Sequence, residues 1–334
     1  MGSLGAESPP HVVEDCFGLL KLYSDGSIFR SPDIDLKIPI QDDGSAEWKD
    51  RLFDENHGLH LRLYRPRNLP PGIKLPIVLY IHGGGFCFGS RSYPNFHNSC
   101  LSLTSGLQAL LVAPDHRLAP EHRLPAAIDD VHGALRWLQA QAISDNGDEW
   151  LRERTDLARV FVLGDSSGGN LAHHLAVRLG AGSAELSPAR IRGYILLAPF
   201  FGGTVMTASE KQRPSEAFWN MDMYDRFWRL SLPEEASKDH PWANPFGPGS
   251  SNLEEAFLDP ILVIVGGGEI LRDRVEDYAR RLNELGKGVK YVEFEGKEHG
   301  FFTDQSFSQE AKGVIQTIKD FISTNSMRDT HTTL

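Results

Sequence analysis

The sequence predicts an α/β protein with a mostly parallel central sheet, helices on both of its faces and a helical cap. Three observations carry this. Short apolar runs of strand length alternate with stretches of helical period along most of the chain. Glycine clusters follow several of those runs directly, where a strand must turn sharply into a loop or helix. Finally, 334 residues with 40% hydrophobic content can bury a large core, and chains of this length often form one domain. The expectation is therefore a single domain over residues 1–334.

Taken in order, Leu20–Tyr23 and Ser27–Arg30 flank Asp25-Gly26 and read as a hairpin. Strands are expected near 60–65, 76–81, 109–113, 160–164, 193–198, 261–265 and 290–294. Helices are expected near 95–106, 126–142, 169–180, 271–285 and 308–323. The stretch 200–232 breaks this rhythm with Phe218, Trp219, Met221, Met223, Tyr224, Phe227 and Trp228, and reads as helices lying over a site. No internal repeat or low-complexity linker is present, and residues 1–11 and 325–334 are polar enough to fray.

A net charge of −11 argues against nucleic acid or an anionic membrane surface as partner. No apolar run reaches the length of a membrane span, and no signal peptide is visible. Three cysteines without regular spacing, Cys16, Cys87 and Cys100, point to a reducing compartment. The absence of an Asn-x-Ser/Thr sequon agrees, so a cytoplasmic (or also nuclear) address is expected.

The chemistry concentrates in four places. Gly164-Asp165-Ser166-Ser167-Gly168 follows the apolar Val160–Leu163 and precedes a helical pattern, the context a nucleophile elbow requires. Among 32 glycines such a match alone could be an ordinary turn. His82-Gly83-Gly84-Gly85-Phe86 follows the strand-like Pro76–Ile81. Its unhindered backbone N–H groups could hold an oxyanion, with Gly84, Gly85 and Ser167 as the expected donors. A Walker-type phosphate loop would end in Gly-Lys-Ser/Thr, and this one does not. His299, in the loop after the strand-like 290–294, is positioned as general base despite the 13 histidines in the chain. For the acid, Glu269 at the tip of the run 260–268 is favoured over Asp273. Asp273 is already explained by the first turn of a helix.

Together His82-Gly-Gly-Gly, Asp115-His116-Arg117-Leu118-Ala119-Pro120-Glu121-His122, Gly164–Asn170, Glu269–Asp273 and Glu298-His-Gly-Phe301 resemble the plant carboxylesterases. That family belongs to the hormone-sensitive-lipase branch of the α/β-hydrolases, and the likeness runs from about Glu14 to Ser323. It implies the α/β-hydrolase fold and a cofactor-free serine esterase with Ser166, Glu269 and His299 as triad. It further implies a cap completed by an N-terminal segment of about 12–45. Phe17, Phe86, Phe218 and Phe227 are the residues expected to line an apolar pocket for a small ester or lactone. The segments 87–92, 227–233 and 244–248 are similar to the strigolactone-degrading subgroup. Two positions depart from the family: Glu269 stands where Asp is usual, and His116 where Tyr is usual. No metal or cofactor is expected, because neither His-Glu-x-x-His, Cys-x-x-Cys nor a nucleotide-binding glycine pattern occurs. Two other classes share the architecture: a non-hydrolytic hormone receptor of the gibberellin type, and a dehydratase or cyclase.

Overall fold

The structure is a computed structural model that describes residues 9–31, 37–212 and 219–326. It divides into two compact units, Met1–Lys37 and Ile38–Leu334. The first holds a three-stranded antiparallel sheet of β1 (Val12–Cys16), β2 (Leu20–Tyr23) and β3 (Ile28–Arg30). β2 and β3 are the expected hairpin. Gly26 takes φ 81° in its turn, and Asp25 accepts the Ser27 N–H at 2.9 Å.

The second unit is built on eight strands: β4 (Ala46–Asp54), β5 (Leu59–Pro66), β6 (Leu75–Ile81), β7 (Leu110–Pro114), β8 (Thr155–Asp165), β9 (Ile191–Leu197), β10 (Ile261–Gly266) and β11 (Val289–Phe294). Their order across the sheet is β11-β10-β9-β8-β6-β7-β5-β4. From β11 to β7 every pairing is parallel, and β5 and β4 close the far edge antiparallel. β6 and β10 are buried throughout, which a sheet achieves only when both faces are covered.

Nine helices are described: α1 (Pro94–Leu107), α2 (Ala126–Ile143), α3 (Glu149–Arg154), α4 (Ser167–Leu179), α5 (Ala208–Gln212), α6 (Met221–Ser231), α7 (Arg272–Glu284), α8 (Phe301–Asp304) and α9 (Gln309–Asn325). Residues of α1 and α9 share one apolar cluster with Val78, Tyr80, Phe161, Leu163, Ile195 and Leu262. The alternate residues Ile77, Leu79, Val162, Leu196 and Val263 are just as buried and belong to the opposite face, where α4 packs on β8 and β9 and against α2.

β7 lies on one side of β6 and β8 on the other, so the chain reverses its direction of travel across the sheet at β6. At such a reversal the loops leaving the carboxyl ends diverge and open a crevice. The loops after β6, β8, β10 and β11 all leave that one edge.

The expected cap stretch contributes α5 and α6. Asn220 caps α6, its side chain accepting the Met223 N–H at 3.0 Å, and Met223, Tyr224, Phe227 and Trp228 form the buried face. The three cysteines are buried and none is in a disulfide. No helix among the described residues is long and apolar enough to cross a membrane.

Candidate active site

β8 delivers the chain to Ser166, and α4 begins at the next residue. Ser166 takes φ 54° and ψ −114°, a backbone state that costs a non-glycine residue about 1–3 kcal/mol and persists only where its surroundings impose it. Here they do. The Ser166 N–H donates to Leu197 O at 2.8 Å, and its carbonyl accepts from Phe200 N at 2.9 Å. A side chain at Gly164 would overlap the Gly168 carbonyl, and one at Gly168 would overlap the Ile81 carbonyl. Strand, turn and helix therefore meet with bare backbone, and the serine hydroxyl is presented above the sheet.

His299 leaves the loop after β11, immediately ahead of α8. Its Nε2 lies 3.0 Å from Ser166 Oγ, and its Nδ1 lies 3.2 Å from Glu269 Oε2. All three residues are buried: Ser166 is 9% exposed, His299 7% and Glu269 2%. Burial pulls the His299 pKa down, but the adjacent Glu269 carboxylate, together with Asp165 and Asp304, outweighs it, and the net direction is up.

Asp273, the other candidate acid, is engaged elsewhere. Its Oδ2 accepts the Ser209 N–H at 2.7 Å and its Oδ1 pairs with Arg272 at 2.7 Å, tying α5 to the start of α7.

The loop after β6 closes over the same point. A Cβ built on Gly83 would stand 3.1 Å from Ser166 Cβ, so this loop abuts the serine. Gly84 and Gly85 both take positive φ, 113° and 60°, and Gly84 O accepts from Cys87 N and Phe88 N at 3.0 and 2.9 Å. Ser167 opens α4, where the first N–H has no acceptor within the helix. His82 braces the loop from below, with Nδ1 2.8 Å from Gly83 O. His116 stacks on it with centroids 4.4 Å apart. Burial lowers the pKa of both, His82 to about 3, so both rings are neutral at physiological pH.

Of the expected pocket residues, Phe86 and Phe227 are both buried in an aromatic cluster between loop and cap. Phe86 lies 5.5 Å from Trp228, and Phe227 lies 6.1 Å from Phe88, with its ring against Gly85. Phe17 belongs to the first unit and is 54% exposed. Phe218 falls outside the described residues. Nearer the reacting atoms are two aromatics that sequence reasoning counted only as cap residues: Trp219 and Tyr224 present edges to His299 at 5.4 and 6.1 Å. His173 and His174 of α4 are packing residues. They bond Tyr278 Oη and Trp242 O.

Sequence reasoning also passed over Asp165 and Thr303, whose side chains meet at 2.8 Å directly behind the serine and histidine. Nothing in the linear pattern sets Asp165 apart from any strand-end aspartate.

A buried serine with a polarised imidazole and a carboxylate in line is an arrangement for acyl transfer. Comparison with known proteins agrees with it. A family model described as the alpha/beta hydrolase fold matches residues 78–303. Probable carboxylesterase 8 of Arabidopsis thaliana is 35% identical over 324 residues, covering 95% of each chain. The gibberellin receptor GID1 of Oryza sativa subsp. japonica is 33% identical over 297 residues, covering 83% of this chain and 80% of the receptor. Among solved structures, an esterase from Pyrobaculum calidifontis superposes with a TM-score of 0.69 at 28% identity, covering 87% of this chain and 88% of that one.

Proposed function

The chain belongs to the plant carboxylesterases of the α/β-hydrolase fold, carboxylic ester hydrolases, and from that premise we propose how its residues divide the reaction. Ser166 Oγ attacks the substrate carbonyl as His299 Nε2 takes its proton. Glu269 accepts the Nδ1–H of His299, fixing its tautomer and stabilising the imidazolium. The N–H groups of Gly84, Gly85 and Ser167 hold the tetrahedral oxyanion, each contributing about 3 kcal/mol. Collapse of that intermediate passes the proton from His299 to the leaving oxygen and leaves an acyl-Ser166. Water activated at His299 then releases the acid. The observation that carries this assignment is the unbroken line Ser166–His299–Glu269 at 3.0 and 3.2 Å.

For the substrate, we infer a small apolar ester or lactone, and within that class a strigolactone. The support is the similarity of segments 87–92, 227–233 and 244–248 to the strigolactone-degrading subgroup, with Trp219 and Tyr224 offering aromatic edges beside His299. Attack at the butenolide carbonyl breaks its bond to the ring oxygen, which takes the proton from His299. The resulting hemiacetal collapses to an aldehyde and expels the enol-ether-linked part as an enol. The cap stretch 200–232 would cover that ligand, in a cytoplasmic setting.

A receptor reading has one observation in its favour, the similarity to GID1. A receptor that only binds needs no base beside its serine, and this chain holds His299 Nε2 3.0 Å from Ser166 Oγ.

Mass spectrometry of products from an aryl acetate and from a strigolactone, with native protein and with Ser166→Ala, tests the proposal. Many turnovers on both substrates, abolished by the substitution, are expected. Turnover of the aryl ester alone would discard the strigolactone. Binding without turnover of either would favour the receptor.

A further inference from the structure

We propose that Asp165 is a positioning residue of the hydrolysis, its carboxylate tying the loop that carries His299 to the elbow that carries Ser166. This rests on the triad assignment above.

Asp165 is the last residue of β8 and adjoins the serine. It is 4% exposed, so a partnerless carboxylate there would be costly. The Thr303 hydroxyl donates to its Oδ2 at 2.8 Å. Thr303 lies in α8, four residues beyond His299, and its N–H donates to Gly300 O at 2.9 Å, so its placement sets that of the histidine loop. On the other side the loop is tied to α1. Ser306 Oγ donates to Thr303 O and contacts Ser99 Oγ, while Ser102 Oγ donates to Ser306 O, at 2.8, 2.9 and 2.8 Å. The bond to Asp165 is the tie that registers the histidine directly to the nucleophile's own strand.

An asparagine could accept the same bond, but it would bring no charge to His299. Around His299 stand Glu269 from the loop after β10, Asp165 from β8 and Asp304 from α8, with Trp219 and Tyr224 on the cap side. Each of the three carboxyl groups favours the imidazolium. Asp165 faces Thr303, His299, Asp304 and Glu269, with Tyr80 of β6 also within electrostatic reach, and Asn95 of α1 bonds Asp304. Burial raises the Asp165 pKa to about 7, against the opposing pull of His299 and Thr303. Charge on Asp165 therefore depends on the histidine, and its loss weakens support for the imidazolium formed during acyl transfer.

The test is kcat and KM for an aryl acetate across pH, with fluorophosphonate labelling, for Thr303→Val, Thr303→Ser, Asp165→Asn and Ser166→Ala. Thr303→Val is expected to lower kcat about tenfold or more through misplacement of His299, with KM within about twofold, and Thr303→Ser to recover most of the loss. Asp165→Asn should move the acid limb of kcat/KM to lower pH, because removing a negative charge lowers the His299 pKa. Native kcat in Thr303→Val, a serine variant as slow as the valine one, or an unmoved acid limb in Asp165→Asn would overturn the proposal. If Thr303→Val does not fold, the serine and asparagine variants decide. Ser166→Ala separates the two levels: turnover surviving in it removes the triad assignment itself. A dead Ser166→Ala beside a fully active Thr303→Val removes only the positioning role.

Discussion

Glu269 is one methylene longer than the aspartate usual at its position, yet its Oε2 stands 3.2 Å from His299 Nδ1. The glycines of the preceding strand end let its backbone lie against the loop that leads to His299, since a Cβ on Gly266 would overlap the Lys297 carbonyl. Sequence pattern offered Glu269 and Asp273 together, and favoured the first because it sits at a strand tip. The structure separates them by what each already holds, since Asp273 is committed to Ser209 and Arg272. Glu269→Gln should lower kcat roughly 10³–10⁴-fold, as loss of the acid does in the serine–histidine–aspartate template. Glu269→Asp should cost about tenfold, by retracting the acceptor. The pH dependence follows from the same pair. His299 acts as base only when neutral, and its pKa is raised, so kcat/KM falls as pH drops through a value above the ordinary imidazole one. Removing the Glu269 charge lowers that pKa, and the acid limb of the Gln variant should move to lower pH. Steady-state kinetics from pH 5 to 9 would check the magnitudes and the direction.

At the scale of elements, the parallel strands and long helices were legible because their apolar runs carry period and length together. β4 was not. Its sequence Ala46–Asp54 is largely charged, and its fitness as an edge strand lies in partners that only the register reveals. Glu47 stands opposite Arg65 and Asp50 opposite Arg62, each an ion pair at 2.7 Å, while Trp48 lies under the Arg62 guanidinium. The cap was legible only as an aromatic-rich interruption, because its attachment is polar and distant in sequence. Arg274 on α7 holds Glu210 of α5 in an ion pair and also donates to the carbonyls of Gly202, Gly203 and Val205. Glu210 is 3% exposed, so Arg274→Ala would strand a buried charge. The expected cost is roughly 3–5 kcal/mol, read as a clear fall in Tm. A raised KM should accompany it, because the 202–210 segment loses its anchor. An unchanged Tm would mean that the segment is held by its apolar contacts alone.

For the whole molecule, topology explains why four sequence-distant loops form one site. The strands that precede them are parallel, and the order reverses at β6, so their carboxyl ends share an edge. Ser166, His299, Glu269 and the glycine loop all lie in the unit Ile38–Leu334. A chain beginning at Ile38 should therefore still react with a fluorophosphonate at Ser166. That chain should also keep turnover of an aryl acetate, since every residue assigned to the reaction lies in this unit. Loss of labelling in a folded chain of that length would count against this assignment. Substrate choice is the least legible property in the sequence, since pocket shape depends on how aromatic side chains from separate segments meet. Phe86 and Phe227 illustrate it: apolar and aptly spaced, they pack cap against loop, while Trp219 and Tyr224 stand beside the histidine.

The central claim is a covalent acyl-serine, and rapid-quench mass spectrometry of the protein during turnover of an aryl acetate tests it most directly. One acetyl group should be found on the peptide containing Ser166, decaying as substrate is exhausted and never formed in Ser166→Ala. Sustained turnover with no acyl group on that peptide, or with undiminished rate in Ser166→Ala, would contradict it.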